Sequence, residues 1–293
     1  MLILIIVFIA GLFFIIKGSD LIISASIKLQ KATCMNPLLI GSVFIAIATS
    51  LPEFFISITA TLSGEHDIVV GNAIGSTAFN IFAVVAFYLF VRKSQFTWKN
   101  LFFILCTLIL FLFSLNNNIN WLEGLVLILI YLLFLLLNLS HKSGEACQRE
   151  KGDLTKIIVF FAFGAAILAL GAYLCCYFVE NLAIILNIPT GIIAGTFISV
   201  GTGAPELFTA ISAIKKKELN FAIGNVIGSC IFNWTILFAI PAISSSGLFI
   251  SNVYLFLSIP FILLASLLSL LPKKYGGYAL LILYSIYLFF LCF

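Results

Sequence analysis

The chain has 293 residues, of which 63% are hydrophobic and 9% charged, with a net charge of +4. Soluble domains carry about 25% charged residues, so this chain lacks the polar cover an aqueous surface needs. A bilayer is its natural solvent, and the small positive balance gives no basis for nucleic-acid binding.

From Leu2 the N-terminus is apolar, with no basic stretch ahead of the run, which argues against a cleaved signal peptide and for a retained first span. Apolar runs of roughly 20 residues are long enough to cross the hydrocarbon core. In chain order the predicted spans are Leu2–Ile27, Pro37–Leu62, Ile68–Val91, Leu101–Leu115, Trp121–Leu139, Lys156–Leu186, Thr190–Ile214, Phe221–Ile243, Leu248–Leu271 and Tyr275–Phe293. The fold class expected is therefore an all-α membrane protein of ten transmembrane helices. The longest break, Ser140–Thr155, is too short to fold alone. Residues 1–139 form a first five-helix unit, 140–155 a cytoplasmic connecting loop, and 156–293 a second five-helix unit.

Seven scattered cysteines (Cys34, Cys106, Cys147, Cys175, Cys176, Cys230, Cys292) form no CxxC pair and read as small apolar filler. His66 and His141 fall in expected loops and offer no metal cluster.

Ten spans place both termini on one side, and the basic residues then sort themselves. Lys28, Lys31, Arg92, Lys93, Lys99, Lys142, Arg149, Lys151, Lys156, Lys215, Lys216, Lys217, Lys273 and Lys274 all fall on one face. The opposite loops, around Glu65–Asp67, Asn116–Asn120, Asn187–Pro189 and Ser244–Gly247, hold no Lys or Arg, and only Lys17 lies inside a span. The positive-inside rule makes the basic face cytoplasmic and both termini external, in a plasma (inner) membrane.

Residues 41–82 and 194–235 match without a gap at a constant offset of 153. The matched pairs include Thr49/Thr202, Pro52/Pro205, Glu53/Glu206, Gly71/Gly224, Asn72/Asn225, Gly75/Gly228, Ser76/Ser229 and Asn80/Asn233. Apolar bias produces chance Leu and Ile matches; it does not produce matched Pro, Glu, Gly and Asn. Because each unit holds an odd number of spans, the second copy enters from the opposite face. This is the inverted-repeat plan of secondary transporters, with the site near the midplane between the halves.

Glu53 and Glu206 sit deep inside spans. A charge there costs on the order of 2.5–3.5 kcal/mol and ordinarily faces a protein interior with a function. A structural salt bridge would need a basic partner, and the one intraspan lysine cannot neutralise two acids. Pro52 and Pro205 lack an N–H and clash with the carbonyls of Ala48 and Gly201. Both helices are thus expected to bend or unwind beside an acid. Freed carbonyls at membrane depth are tolerated where they line a cavity. Carbonyls, hydroxyls and carboxylates are the hard oxygen ligands that Ca²⁺ and Na⁺ take, and no nitrogen or sulfur set favours Zn²⁺ or copper. Asn72, Ser76 and Asn80 stand four apart on one helix face, repeated as Asn225, Ser229 and Asn233. Asn72 and Asn225 read nearly as well as packing residues.

AIATSLPEF with GNAIGSTAFN, and SVGTGAPEL with GNVIGSCIFN, resemble the doubled motif of the cation/calcium exchanger superfamily, prokaryotic sodium/calcium exchangers included. The resemblance covers essentially the whole chain and implies the sodium/calcium exchanger fold. It implies that Glu53 and Glu206 are central shared metal ligands. Thr49 and Thr202 would supply oxygens beside them, and Ser50, Ser76 and Ser229 hydroxyls. The carbonyls of Ala46 and Ser199 would complete flanking sodium sites, and Asn80 and Asn233 would line the centre. The chain departs from the pattern at Gly203, which stands where the first copy has Ser50, at Ala48 in place of a glycine, and at Asn233, where many relatives carry Asp. Only two central carboxylates remain, matching one Ca²⁺ or two Na⁺, and the stoichiometry stays open.

The implied function is antiport of Ca²⁺ against Na⁺ by alternating access, in a monomer that is not an enzyme and needs no cofactor, with Ca²⁺, Na⁺ and the lipid bilayer as its partners. A proton- or potassium-coupled Ca²⁺ exchanger is the nearest rival, since buried glutamates can carry protons. A channel would need a continuous pore, and an intramembrane enzyme a nucleophile–base pair at matching depth. The long first and sixth spans are expected to slide against the other eight.

Overall fold

The computed structural model describes residues 2–91, 97–140, 149–150, 152–185, 199–245, 247–269 and 273–292. Most of the expected connecting loop 140–155, residues 190–198 of the expected seventh span, and Arg92, Lys93, Lys142 and Lys151 lie outside them.

Helices fill most of the described chain: α1 (Leu2–Thr33), α2 (Pro37–Thr49), α3 (Leu51–Leu62), α4 (His66–Val91), α5 (Trp98–Phe113), α6 (Trp121–Ser140), α7 (Leu154–Ile185), α8 (Ser199–Lys215), α9 (Leu219–Ser244), α10 (Tyr254–Leu268) and α11 (Lys273–Cys292). Among the described residues six helices are long and apolar enough to cross a membrane, or seven with α2 and α3 counted as one bent span. A short antiparallel ladder, β1 (Asn118–Ile119) with β2 (Leu248–Phe249), pairs Asn118 with Phe249 and Ile119 with Leu248. Asn117 extends it through its side-chain amide, which donates to the Ile250 carbonyl and to Asn252.

The core lies around α4 and α9, whose span windows are 78% and 83% buried against 22% for α1. Large exposed apolar residues on α1, α5, α6 and α7, such as Phe13, Leu112, Leu136 and Phe163, form the lipid-facing rind. With no hydrophobic drive between helices in lipid, small residues set how closely they approach. The α1–α7 seam shows this. A Cβ on Gly11 would come within 2.8 Å of Cys175 Sγ, one on Gly171 within 2.7 Å of the Gly11 carbonyl, and one on Gly18 within 2.6 Å of the Leu168 nitrogen. Positions rise along α1 as they fall along α7, so the two 32-residue helices run antiparallel as one pair. On α9, Gly224 and Gly228 lie against the α2 backbone at Leu38 and Ser42.

The two prolines behave differently. Beside Pro52 the helix breaks: Ser50 leaves helical geometry (φ −87°, ψ 7°), and α2 and α3 meet at 45°. Beside Pro205 no break occurs, and α8 runs through it. The expected interruption at Gly201 is corrected accordingly.

Lys99 also departs from expectation. Rather than lying in a basic loop, it sits in the first turn of α5, buried, with its ammonium donating to the Leu38 carbonyl and Ser42 Oγ. The π-helical turn Ile40–Ile45 lies beside that carbonyl, and Asn138 of α6 joins the same cluster through Ser42. Lys17 is exposed over the Phe13 ring. Cys106, Cys175, Cys176 and Cys230 are buried thiols, whereas Cys34 is disulfide-bonded rather than filler.

Gly228→Ala drives a methyl into the Ser42 backbone. The substitution should destabilise the protein by about 1–3 kcal/mol, as overpacking does. A thermal midpoint of the detergent-purified variant equal to wild type would contradict this packing.

Candidate cation-binding site

Four segments meet in the interior: the α2–α3 break, the middle of α4, the start of α8 and the middle of α9. Helix breaks matter here because a regular helix keeps its carbonyls for itself. Glu53 sits in the first turn of α3, directly after Pro52, and Glu206 follows Pro205 in α8. Both glutamates are 0% exposed.

Hydroxyls surround the pair in two clusters drawn from both copies. In one, Thr49 Oγ1 is 3.3 Å from Ser229 Oγ and donates to the Ala46 carbonyl (3.2 Å) and to Asn225 Oδ1 (3.0 Å). In the other, Thr202 Oγ1 is 3.0 Å from Ser76 Oγ and donates to the Ser199 carbonyl at 3.4 Å. Each contact is the other displaced by the sequence offset, with the partner helices exchanged. Ser50 Oγ donates to Glu206 Oε1 at 3.3 Å.

The remaining polar atoms are bare. Among the described residues neither oxygen of Glu53 nor Oε2 of Glu206 meets a donor, and the amides of Asn80 and Asn233 make no hydrogen bond. All four side chains are buried. Buried polar groups in folded proteins are overwhelmingly partnered, and leaving one unmade costs about 1–3 kcal/mol. Neither glutamate takes part in an ion pair among the described residues; the three pairs there are Lys31–Glu150, Lys156–Asp153 and Lys216–Asp20. Such a set of unshared oxygens suits a hard cation of Ca²⁺ or Na⁺ type.

Of the sequence-derived positions, Glu53, Glu206, Thr49, Thr202, Ser50, Ser76 and Ser229, with the Ala46 and Ser199 carbonyls, come together here, while Asn80 and Asn233 are buried one turn beyond Ser76 and Ser229 on α4 and α9. Sequence reasoning undervalued Asn72 and Asn225. Asn72 donates to the Glu53 backbone carbonyl (3.0 Å) and to Ser57 Oγ (3.1 Å), pinning the acid-bearing turn. Asn225 orients Thr49. Their place in the doubled GN dipeptide was the available signal.

The flanks of the site differ. Between α3 and α7 lies a cleft of ≈400 Å³ bordered by Pro52, Phe55, Thr59, Tyr173, Cys176 and Tyr177. The offset-related interface, between α8 and α1, is closed. There Thr209 Oγ1 donates to Ser19 Oγ (3.1 Å), Ser212 Oγ donates to Asp20, and Lys216 Nζ reaches the Asp20 carbonyl (2.8 Å), Ser24 Oγ (3.0 Å) and the Asp20 carboxylate (3.4 Å).

Asn72→Ala removes both hydrogen bonds that pin Glu53. Affinity for Ca²⁺, measured by isothermal titration, should fall roughly tenfold, which is 1.4 kcal/mol. An unchanged affinity would reduce Asn72 to a packing residue.

Residues 3–140 and 156–293 match the family model described as sodium/calcium exchanger protein. The chain is 26% identical to sodium/calcium exchanger MaX1 of Methanosarcina acetivorans, over 95% of either chain. It is 27% identical to the inner membrane protein YrbG of Escherichia coli, over 82% of this chain and 79% of that one. Among solved structures, the sodium-calcium exchanger NCX_Mj soaked with Na⁺ and Sr²⁺ superposes with a TM-score of 0.84 at 26% identity, covering 98% of both chains.

Proposed function

The chain belongs to the sodium/calcium exchanger protein family, and from that premise we propose that it is an antiporter exchanging Ca²⁺ against Na⁺ by alternating access. It is an integral membrane protein with the exchanger fold. The observation that carries the proposal is the pairing of Glu53 and Glu206 in the interior, fully buried, with no basic partner among the described residues and with unpartnered oxygens. Ca²⁺ takes six to eight oxygens. Two carboxylates, five hydroxyls and the carbonyls of Ala46 and Ser199 offer more than that number, so a subset would suffice. Ca²⁺ and Na⁺ compete because the same carboxylates cannot serve both fully. That competition couples the two fluxes.

In this reading the chain crosses the membrane ten times as two inverted five-helix halves, with basic loops cytoplasmic and both termini outside. The exchange of partners between the Thr49–Ser229 and Thr202–Ser76 contacts supports the inverted relation. The protein works as a monomer with no resident cofactor. The α1–α7 pair is the moving part. The cleft beside α3 runs from Pro52 toward the loop at Glu65 and is the outward path, while the Asp20–Lys216 cluster closes the path to the basic face. Half-exposed ion pairs contribute about 0–1 kcal/mol, a strength suited to a contact that breaks every cycle. The single-ion rivals, H⁺ and K⁺, use the same carboxylates and are separated by the flux assay.

Glu53→Gln and Glu206→Gln should each abolish ⁴⁵Ca²⁺ uptake into proteoliposomes driven by Na⁺ gradients, with H⁺ and K⁺ varied singly. Uptake surviving in both variants would refute the site. Asp20→Asn combined with Lys216→Met should speed hydrogen exchange along α8 near Thr209 and Ser212, and the charge swap Asp20→Lys with Lys216→Asp should restore protection. Protection indifferent to all of these changes would remove the latch.

A further inference from the structure

Among the described residues Lys99 is the one lysine or arginine that is buried, at 3% exposure. It lies in the first turn of α5, and its ammonium donates to the Leu38 carbonyl at 2.8 Å and to Ser42 Oγ. Ser42 Oγ is itself 2.6 Å from the same carbonyl and 3.1 Å from Asn138 Oδ1. The Trp98 and Phe134 rings flank the ammonium at 5.7 and 6.0 Å. No carboxylate pairs with it among the described residues. A buried charge held by neutral oxygens and ring faces is costly, and an apolar side chain of similar volume is often the more stable choice. What the charge adds here is a firm grip on one carbonyl.

That carbonyl stands at the entrance to the π-helical turn Ile40–Ile45 of α2. Such turns persist where a side chain draws a carbonyl out of the regular ladder, and Lys99 does so at Leu38 together with Ser42 Oγ. The turn closes with the Ala46 N–H on the Gly41 carbonyl, five residues back. From there the chain passes directly into the site. The Ala46 carbonyl accepts from Thr49 Oγ1 at 3.2 Å and lies 3.5 Å from Ser229 Oγ. Relaxation of the π turn to a regular helix would rotate Ala46 and Thr49 by about 100° relative to Leu38, one residue's share of a 3.6-residue turn. The close approach of Gly41 to Phe221 fixes where α2 lies on α9; the grip of Lys99 fixes how α2 is wound. The device is one-sided. α10, which follows α9 as α5 follows α4, has no lysine or arginine.

We propose that Lys99 is a positioning residue for the cation site, its ammonium holding the π turn of α2 and thereby setting the Ala46 carbonyl and Thr49 Oγ1 in place. This rests on the exchange reading above. Lys99 binds no transported ion; it acts through α2, on one half of the site. The Thr202–Ser76 cluster is drawn from α8 and α4, contains no residue of α2, and lies outside its influence.

The test is a pair of double-mutant cycles on the detergent-purified full chain, with Ca²⁺ affinity read by isothermal titration. Lys99→Met should weaken Ca²⁺ binding roughly fivefold, the size of one lost polar contact. Combined with Thr49→Ala, it should weaken binding by less than the product of the two single effects, because both act on the same oxygens. Combined with Thr202→Ala, the two effects should multiply. A Lys99→Met protein that is folded and binds Ca²⁺ as wild type does overturns the proposal, as does a Lys99→Met effect that multiplies equally with both threonine changes, the behaviour of a residue that only stabilises the fold. Should Lys99→Met not fold, Ser42→Ala, which removes one of the two acceptors of the ammonium, takes its place in the same cycles with the same expected pattern. Wild-type protein that binds no Ca²⁺ and shows no Na⁺-driven flux would overturn the exchange reading and this inference together.

Discussion

Two buried acids with no base paired to them among the described residues are what the rest of this structure is arranged around. A lone buried carboxylate is one of the most unfavourable things a fold can contain, and this one contains a mutually repelling pair, Glu53 and Glu206. In the proposed function, the arrangement becomes favourable when a cation occupies the space between them. The protein therefore keeps for its cargo the compensation that most proteins provide internally. The neighbouring hydroxyls follow the same logic. Thr49 with Ser229, and Thr202 with Ser76, satisfy one another at 3.3 and 3.0 Å, and hydroxyls so placed can turn toward an ion.

Backbone proximity is the means by which the pair is brought together. Gly41, Gly224 and Gly228 allow α2 to lie on α9 with no side chain between, so that the α2–α3 break falls beside Asn225 and Ser229. The π-helical turns at Ile40–Ile45 and Asn80–Val85 shift the register on either side of the site, in α2 and α4. Such turns recur at functional positions because they release a carbonyl from the helical ladder. Packing thus delivers the oxygens and the breaks free them.

Much of this could be read from sequence because it depends on rare residues. Glutamate and asparagine inside apolar runs are conspicuous, and their recurrence at a fixed offset is more so. The break at Pro52 followed from the missing N–H. What sequence withheld depended on three-dimensional neighbours. Pro205 passes through an unbroken helix where the same residue type at 52 follows a break. Lys99 looked like one more loop cation, yet its burial is made possible by the Leu38 carbonyl, Ser42 and, through Ser42, Asn138, residues from two other helices. Gly203 was visible as a lost hydroxyl; that the Phe79 ring fills the vacancy was not, since the ring comes from α4.

The small ladder between β1 and β2 has a bearing on motion. It joins the connection between α5 and α6 to the connection between α9 and α10, and Asn117 ties the two strands further through Ile250 and Asn252. None of these segments belongs to α1 or α7. With α1 and α7 as the proposed moving pair, the clasp would fasten the remaining frame to itself at one rim, so that their stroke would work against a fixed abutment.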